Sequence, residues 1–190
     1  MPPRTRPLAR DALLELAEVQ NGLVSRQQAV DELGVTGAAI DNLVARGRLE
    51  RVAHGIYRYP HLPGVTQEPF QVALLRTGEP EAALSHETAL AIHDISDVNP
   101  ARYHVTIPSP RRIRRSDNDR YVVHVQSLEQ HQVMWWEQMR VVTPATAIEQ
   151  CLADGTPRYL LRQALERGAR TGAVSRDDID QLTRAMEHRG

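Results

Sequence analysis

The sequence contains no lysine: every one of its 23 basic residues is an arginine. A P-loop holds the nucleotide phosphates with a lysine, a protein kinase of the usual type needs a lysine on a strand, and a Schiff-base enzyme needs an amine. The composition therefore excludes all three classes of enzyme.

Cysteine, aromatic residues and long apolar runs are also scarce. Cys151 is the only cysteine, so no internal disulfide can form, and aromatic residues make up 4% of the chain, so aliphatic side chains must build most of the core. No apolar run approaches the roughly 20 residues that span a bilayer. The opening segment MPPRTRPLAR lacks the apolar centre of a secretory signal. We therefore expect a cytoplasmic protein without a membrane partner.

The chain is nevertheless able to form a real core, since 41% of its 190 residues are hydrophobic, and its length suits one or two domains. The net charge of -1 does not by itself indicate a nucleic-acid partner. The distribution of charge is more informative, because Arg4, Arg6 and Arg10 lie among three prolines near the N-terminus. This segment predicts a flexible basic arm, of the kind that reaches into a minor groove in other DNA-binding folds.

Three helices are predicted in the first sixty residues. Apolar residues at helical spacing predict the first helix from about Asp11 to Gln20. Ser25, followed three residues later by Gln28, forms a capping-box pattern at the start of the second helix. After the tight turn LGVT, Thr36 caps the third helix, and Gly47 ends it.

Two β-prone runs follow, Leu49 to Val52 and Ile56 to Tyr59, and the tripeptide AHG between them predicts a hairpin turn. Helix, helix, tight turn, helix and hairpin is the order of a winged helix-turn-helix, which we therefore predict for residues 1–62. Winged helices bind DNA or serve as protein-interaction modules, and the basic arm, third helix and hairpin together favour DNA. One core is expected to contain Leu13, Leu33, Ile40, Leu43 and Ile56.

In such a domain the third helix enters the major groove with its N-terminal half. Ala38 is small enough for a close approach, Asn42 could pair with adenine, and Arg46 with guanine or phosphate. Asp41 would repel phosphate unless it accepts from a cytosine or orients Arg46. The remaining candidates lie on the basic arm, on the helix cap and around the hairpin that would contact phosphates. The predicted DNA-binding residues are Arg4, Arg6, Thr36, Ala38, Asn42, Arg46, Arg48, Arg51, His54 and Arg58.

The proline-rich stretch PHLPGVTQEP predicts a linker over residues 63–69 and a second domain over residues 70–190. Two β-prone runs, YHVTIP and YVVHVQS, are expected to form a hairpin around a polar loop. MRVVTPATAIEQCLAD predicts a strand and then a helix capped by Thr143, and two more helices end the chain. The expected fold class is α+β, a winged helix-turn-helix followed by a mixed α/β C-terminal domain with a small sheet.

The second domain offers few candidates for chemistry. Ser85 and His86 are adjacent, and adjacent residues on a helix point apart, so we interpret Ser85 as a helix cap and not as a nucleophile. His86 and His93 share a helix face but lack the closer ligand cluster that zinc needs. His104 and His124 are expected to be cross-strand neighbours. We therefore expect no catalytic residue, no metal site and no cofactor.

The strongest charge feature is the run RRIRR at the expected hairpin tip. It is a solvated loop, a second contact to nucleic acid or a dock for an acidic partner surface, and these alternatives stay open. The run contains Arg111, Arg112, Arg114 and Arg115. The two tryptophans at 135–136 predict one core ring and one exposed ring.

Several segments carry a resemblance to a known family. GLVSRQQAVDELGVTGAAIDNLVARGRLERVAHGIYRYP is followed by ALSHETALAIHDI, by YHVTIP with basic residues after it, and by VVTPATAIEQCLAD. In this order, from about Gly22 to Asp154, the segments resemble the AbiEi-type antitoxins of bacterial type IV toxin–antitoxin systems. GRLERVAHGIYRYP is the most specific piece, and LSHETAL is the next.

The resemblance implies a winged-helix domain that represses its own operon and a C-terminal domain that is needed to neutralise a toxin of the nucleotidyltransferase type. Ala38 to Arg46 and the Arg51–Arg58 hairpin would be the DNA-binding elements. The implied partners are the operator DNA of its own operon and the cognate toxin. We also expect the operator to be a repeat that two copies of the protein occupy.

Two other functions remain open. One is a winged-helix regulator whose residues 65–190 sense a small molecule, which a pocket lined by convergent polar groups would favour. The other is an enzyme that silences the toxin covalently. The lack of lysine, of a glycine-rich phosphate loop and of a clustered acid pair speaks against the enzyme.

Overall fold

The structure is a computed structural model that describes residues 9–110 and 120–188. Contacts within the chain divide it into two compact units, Met1–Pro80 and Glu81–Gly190. None of the described helices is both long enough and apolar enough to cross a bilayer.

The described residues of the first unit form helices and short strands in the predicted order. The three predicted helices and the predicted hairpin are present, which confirms the winged helix-turn-helix. In chain order the elements are α1 (Ala9–Glu18), β1 (Leu23–Ser25), α2 (Arg26–Asp31), α3 (Gly37–Ala45), β2 (Glu50–Ala53), β3 (Ile56–Arg58) and α4 (Glu68–Thr77).

Side-chain caps fix where α2 and α3 begin. The Ser25 hydroxyl accepts from the Gln28 backbone N–H at 3.1 Å, and the Gln28 side chain accepts from the Ser25 N–H at 3.2 Å. This is the capping box that the sequence predicted. At α3, the Thr36 hydroxyl accepts from the Ala39 N–H at 3.2 Å. Both caps satisfy backbone donors that have no partner inside the helix.

The core of the first unit is mainly aliphatic. Leu13 and Ile40 lie in it as predicted, whereas Leu33 and Leu43 are partly buried and pack against it. Ile56 is buried as well, but it lies outside this cluster. The buried members are Leu13, Ala17, Val24, Ala29, Val35, Ile40, Leu49, Tyr57 and Tyr59.

The wing has three strands where the sequence predicted two. β3 is the central strand, with β1 and β2 antiparallel on either side. β1 is only three residues long, and its last residue, Ser25, also caps α2. So short a run shows no periodicity from which a strand could be predicted. The hairpin turn is where it was predicted, with Gly55 in the left-handed conformation at φ 70°.

α4 belongs to the first unit, although the sequence placed it in the second domain. It contacts β1 and β3, and Arg58 Nη1 donates to Glu68 Oε2 at 3.0 Å. Residues two apart on a strand share a face, so Ile56 lies on the Arg58 face of β3, which α4 covers. The first compact unit therefore extends beyond the predicted linker at 63–69 as far as Pro80.

The described residues of the second unit form a mixed sheet with helices, which confirms the α+β fold class. The strand order is β6-β5-β4-β8-β7. In chain order the elements are β4 (Ala83–Leu84), α5 (His86–Ile92), β5 (Tyr103–Ile107), β6 (Tyr121–Val125), β7 (Val133–Trp136), β8 (Met139–Val142), α6 (Pro144–Asp154), α7 (Arg158–Thr171) and α8 (Arg176–His188).

β5 and β6 are parallel, so the predicted hairpin between them is wrong. In their register His104 lies opposite Val122, and Thr106 lies opposite His124. Parallel neighbours need a crossover of about a dozen residues or more, and residues 108–120 connect these two strands. Alternating apolar residues predict a strand but not its direction, which is why the polar segment was interpreted as a turn.

The other predicted elements of the second unit are present. The Thr143 hydroxyl caps α6 by accepting from the Thr146 N–H, and Pro144 is the first residue of that helix, as predicted. On the edge strand β7, the side chain of Trp135 is 70% exposed and that of Trp136 is half-buried. One tryptophan is thus exposed as expected, and the other is only partly covered.

Candidate nucleic-acid interface

α3 turns an apolar face to the core and a polar face to solvent. Ile40 is buried, and Leu43 and Val44 pack against the core of the first unit. The helix is therefore anchored along one side, and the side chains on its other side are free to approach a ligand. The exposed positions are Thr36, Ala38, Asp41, Asn42, Ala45 and Arg46.

Asn42 and Arg46 lie one helical turn apart on the exposed face. The Arg46 N–H donates to the Asn42 carbonyl at 3.1 Å, which closes the helix at Arg46. Within residues 9–110 and 120–188, the structure shows no ion pair for the exposed side chains of Arg46, Arg48 or Arg51. An amide and unpaired guanidinium groups at this surface suit contacts to base edges and phosphates.

Asp41 is held by Arg26, the first residue of α2. Arg26 Nη1 donates to Asp41 Oδ1 at 2.9 Å, and Nη2 donates to Oδ2 at 3.2 Å. The hydrogen bond from Arg26 lowers the pKa of the Asp41 carboxyl. The carboxylate therefore stays ionised, and the positive charge of Arg26 compensates its negative charge. The sequence left open whether Asp41 orients Arg46, and the structure pairs it with Arg26.

Arg26 also connects α3 to the wing. A Cβ at Gly37 would collide with Nη2 of Arg26, so the glycine leaves room for the guanidinium. Arg26 Nη1 donates to the Tyr57 hydroxyl at 3.2 Å. The ring of Tyr57 lies 5.9 Å from the guanidinium carbon of Arg51, a cation–π distance. Through these contacts, Arg26 and Tyr57 link α2, α3 and the wing.

Around the wing, Arg48, Arg51 and His54 are exposed, but Arg58 differs from them. Its guanidinium donates to Glu50 Oε2 at 2.8 Å and to Glu68 Oε2 at 3.0 Å, and these hydrogen bonds raise its pKa. Two carboxylates thus neutralise Arg58, which joins the wing to α4. It is less suited to a phosphate contact than the sequence suggested.

Several predicted binding residues lie outside the described part of the chain. They are the arm arginines and the RRIRR run, namely Arg4, Arg6, Arg111, Arg112, Arg114 and Arg115. Thr36 is described, and its hydroxyl caps α3. Ala38 is exposed in the first turn of α3, as a close approach to DNA requires.

In the second unit, the Ser85 hydroxyl does not cap α5, contrary to the prediction. Ser85 Oγ lies 3.0 Å from Nδ1 of His86. The backbone of His86 has a φ of 51°, a left-handed conformation that is uncommon for residues other than glycine. Adjacent residues of a regular helix point apart, but this conformation brings the His86 ring back to Ser85.

This contact does not form a nucleophile and its base. Ser85 is 0% exposed, so a substrate has no access to its hydroxyl. Burial, together with the nearby His124 and His104, lowers the pKa of His86 to about 3. Its imidazole is therefore a weak base at neutral pH, where a general base needs a pKa close to the working pH.

The same region brings three histidines together, which the sequence did not predict. His104 Nδ1 lies 3.0 Å from His124 Nε2, so these two are neighbours as expected. The His86 ring stacks on the His124 ring with 3.5 Å between their centroids and an interplanar angle of 16°. His93, which the sequence grouped with His86, is instead 2.8 Å from the Val142 carbonyl oxygen through Nε2. No sequence signal pointed to His86 as the third member, because its position depends on its left-handed backbone.

Similarity to known proteins agrees with the geometry of the first unit. No curated protein matches the chain. The fold is similar to the crystal structure of the RV2827C protein from Mycobacterium tuberculosis, with a TM-score of 0.54 and 17% identity over 95% of this chain and 72% of that one. Residues 11–60 match the model of a family described as "Transcriptional regulator, AbiEi antitoxin". The winged-helix segment is thus similar to the AbiEi antitoxin transcriptional regulators, and the resemblance predicted from the sequence is confirmed over these residues.

Proposed function

We propose that this chain is an antitoxin that binds the promoter of its own operon, represses it, and neutralises a cognate toxin of the nucleotidyltransferase type. The observation that carries the repressor function is the exposed face of α3, where Asn42 and Arg46 stand on a helix anchored to the core. This face belongs to a domain that matches a family of antitoxin transcriptional regulators.

Sequence is read by Asn42 and Arg46 in the major groove. An amide pairs in a bidentate manner with adenine, and a guanidinium does so with guanine. Ala38 and Gly37 are small, so that the first turn of α3 can approach the bases closely. Asp41 does not repel the phosphates strongly in this arrangement, because Arg26 matches its charge.

Phosphates are contacted by the exposed cations around the wing, Arg48, Arg51 and His54. Such contacts position a protein on DNA but carry little sequence information. Arg4 and Arg6 of the basic arm enter the neighbouring minor groove. Arg58 has a minor part or none, because its charge is already matched by two carboxylates.

Two copies bind together on the operator. A single winged-helix domain presents a small surface, and single DNA-binding modules bury only about 600–1,000 Å². Two copies on a repeated half-site double the number of base contacts. We expect half-sites one or more helical turns apart, so that both recognition helices face the same side of the duplex.

Toxin neutralisation is assigned to the second unit. This assignment rests on the resemblance of its segments to AbiEi-type antitoxins. The RRIRR run docks on the toxin or on the nucleic acid that the toxin uses, and reversing the charge of its four arginines would then impair neutralisation. This contribution should be smaller than that of the whole unit, because ion pairs made by exposed charges often add little.

The experiment separates the two functions. The antitoxin is expressed from an unrelated promoter, so that repression cannot contribute, and rescue of cells from the toxin is measured beside repression of the native promoter. Asn42→Ala with Arg46→Ala should abolish repression and leave rescue intact. A fragment of residues 1–80 should bind the promoter but fail to rescue. Rescue by this fragment would move neutralisation onto the winged helix, and equal binding to promoter and random DNA would refute the recognition helix.

A small-molecule sensor is the second candidate, and one observation favours it. A groove of about 370 Å³ lies between α7 and α8, lined by Arg158, Arg162 and Glu166 together with apolar residues such as Leu165. An effector that fills this groove would change promoter affinity in the absence of any toxin. The antitoxin proposal requires promoter affinity to respond to the toxin and not to small molecules of the cell extract.

A further inference from the structure

We propose that His86, His104 and His124 bind one divalent transition-metal ion of the zinc class in the second unit. The three side chains each offer a ring nitrogen, and these nitrogens all lie within 4.8 Å of one another. All three residues belong to the second unit, and the site does not depend on the function proposed above.

The spacing of the nitrogens is close to that of a metal site. Zinc binds histidine at about 2.0–2.1 Å in a tetrahedral arrangement, which places the nitrogens about 3.3 Å apart. The pair His104 Nδ1 and His124 Nε2, at 3.0 Å, is already near this value. The His86 ring stacks on the His124 ring with 3.5 Å between their centroids, so binding requires the His86 ring to turn until its nitrogen lone pair points at the ion held by the other two rings.

The ligands are carried by well-anchored backbone. His104 and His124 lie on the parallel strands β5 and β6. The His104 backbone N–H donates to the Thr88 hydroxyl at 2.8 Å, and the His86 backbone N–H donates to the Gln150 side-chain oxygen at 3.3 Å. Metal sites depend on such supporting contacts, because they hold the ligands in place before the ion arrives.

The chemistry of the rings suits a metal. A metal binds the lone pair of a neutral imidazole, and burial keeps the pKa of all three histidines below the ordinary value. The contact to Ser85 Oγ fixes the His86 tautomer when Nδ1 donates its proton to the hydroxyl, which leaves the lone pair on Nε2. A hydrogen bond to the second ring nitrogen is the usual support of a ligating histidine.

The ligand set also selects the ion. Three imidazoles suit zinc, cobalt, nickel and copper, whereas magnesium and calcium prefer oxygen ligands. Three protein ligands leave one position of a tetrahedral ion for water. The left-handed backbone of His86 supports a binding role as well, since such conformations persist where the surrounding structure requires them.

The test uses the full chain after removal of metal with a chelator. Titration with ZnCl2 in a calorimeter should show one ion per chain, and CoCl2 should give the intense visible absorption of tetrahedral cobalt. His104→Gln and His124→Gln should each weaken zinc binding by about 100-fold or more, and Ser85→Ala by about tenfold. The matched control is His131→Asn, because the His131 side chain lies in the same unit and is 76% exposed. It should bind zinc as the wild type does.

Two results would overturn the proposal. One is zinc affinity of the wild type no higher than that of the His104→Gln/His124→Gln double variant. The other is a cobalt complex of the wild type with only the weak absorption of an octahedral ion. The cobalt spectrum is measured on the wild type, so it tests the proposed metal site even where a histidine variant fails to fold.

Discussion

The guanidinium of Arg26 holds both carboxylate oxygens of Asp41, so the first residue of α2 controls a charge on the exposed face of α3. Their side chains are 37% and 63% exposed. Exposed ion pairs contribute little to folding stability. The pair therefore acts mainly on the electrostatic potential at the exposed face of α3.

Removal of Arg26 should weaken DNA binding more than it weakens the fold. Arg26→Gln leaves the Asp41 carboxylate uncompensated beside the phosphates, and we expect promoter affinity to fall about tenfold at low salt. The thermal midpoint should change little, because the pair is exposed. Fluorescence anisotropy with promoter DNA and a thermal melt measure the two effects.

The double variant Arg26→Gln/Asp41→Asn is the control for this charge effect. It removes the uncompensated carboxylate, so much of the lost affinity should return. Gly37→Ala should mimic Arg26→Gln, because the added Cβ displaces the Arg26 guanidinium. A double variant that binds no better than Arg26→Gln would show that Arg26 contacts the DNA directly.

Substitutions on α3 and on the wing should have different effects on specificity. Asn42→Ala and Arg46→Ala should each reduce base discrimination by about 1–3 kcal/mol if their contacts are bidentate. Arg51→Ala should weaken binding to all sequences alike and reduce the slope of log affinity against log salt by about one. Binding assays with promoter and random duplexes over a range of salt concentrations distinguish the two patterns. The assignment fails if Arg51→Ala alters base preference while the α3 variants do not.

The first unit should fold alone only when it includes α4. Leu23 and Ile56 lie on the face of the wing sheet that α4 covers, and both are at most 1% exposed. Exposure of two large aliphatic side chains costs about 3 kcal/mol or more. A fragment of residues 1–80 should therefore unfold cooperatively in urea, and a fragment of residues 1–64 should be less stable by at least that amount. Equal urea midpoints would show that α4 is not needed.

The second unit should lose stability as the pH falls below about 6.5. Burial lowers the pKa of four histidines, His86, His93, His104 and His124. The unfolded chain binds protons at these positions near pH 6.5, whereas the folded chain does so only at lower pH, down to about 3 for His86. The stabilisation is thus complete above pH 6.5 and declines as the pH falls, by at most about 1.4 kcal/mol per pH unit for each proton.

Urea unfolding at pH 7.5, 6.0 and 5.0 with a chelator present measures this dependence. Asp97 also lies in this unit, and Arg167 lowers the pKa of its carboxyl, so that any loss of stability from its protonation comes only at more acidic pH. A free energy of unfolding that stays constant between pH 7.5 and 5.0 would show that burial does not keep these histidines neutral in the folded state.

Local signals in the sequence predicted the elements of the fold well. Ser25 with Gln28, Thr36 and Thr143 each place a hydroxyl where backbone N–H groups need an acceptor within three residues, so the helix starts could be predicted. Strand pairing is different, because it depends on residues far apart in the chain. The parallel pairing of β5 with β6 and the addition of β1 to the wing have no local signal.

The candidate sites also contain features that local sequence predicts and features that depend on residues far apart in the chain. The exposed positions of α3 follow from helical periodicity, so Asn42 and Arg46 could be placed correctly on the outer face. The partner of Asp41 could not be predicted. Arg26 is fifteen residues away in the sequence, and the two side chains meet only because α2 and α3 cross. The histidine cluster required both the register of β5 with β6 and the left-handed backbone of His86.

The shortness of β4 has a consequence for how the second unit folds. Among the residues that the structure describes, Ala83 and Leu84 alone link the pair β5 and β6 on one side of the sheet to the pair β7 and β8 on the other. Leu84 must meet Val141, far along the chain, before this link exists. Closing so long a loop costs entropy before any contact repays it. The two strand pairs should therefore form early, and their joining through β4 should limit the rate of folding.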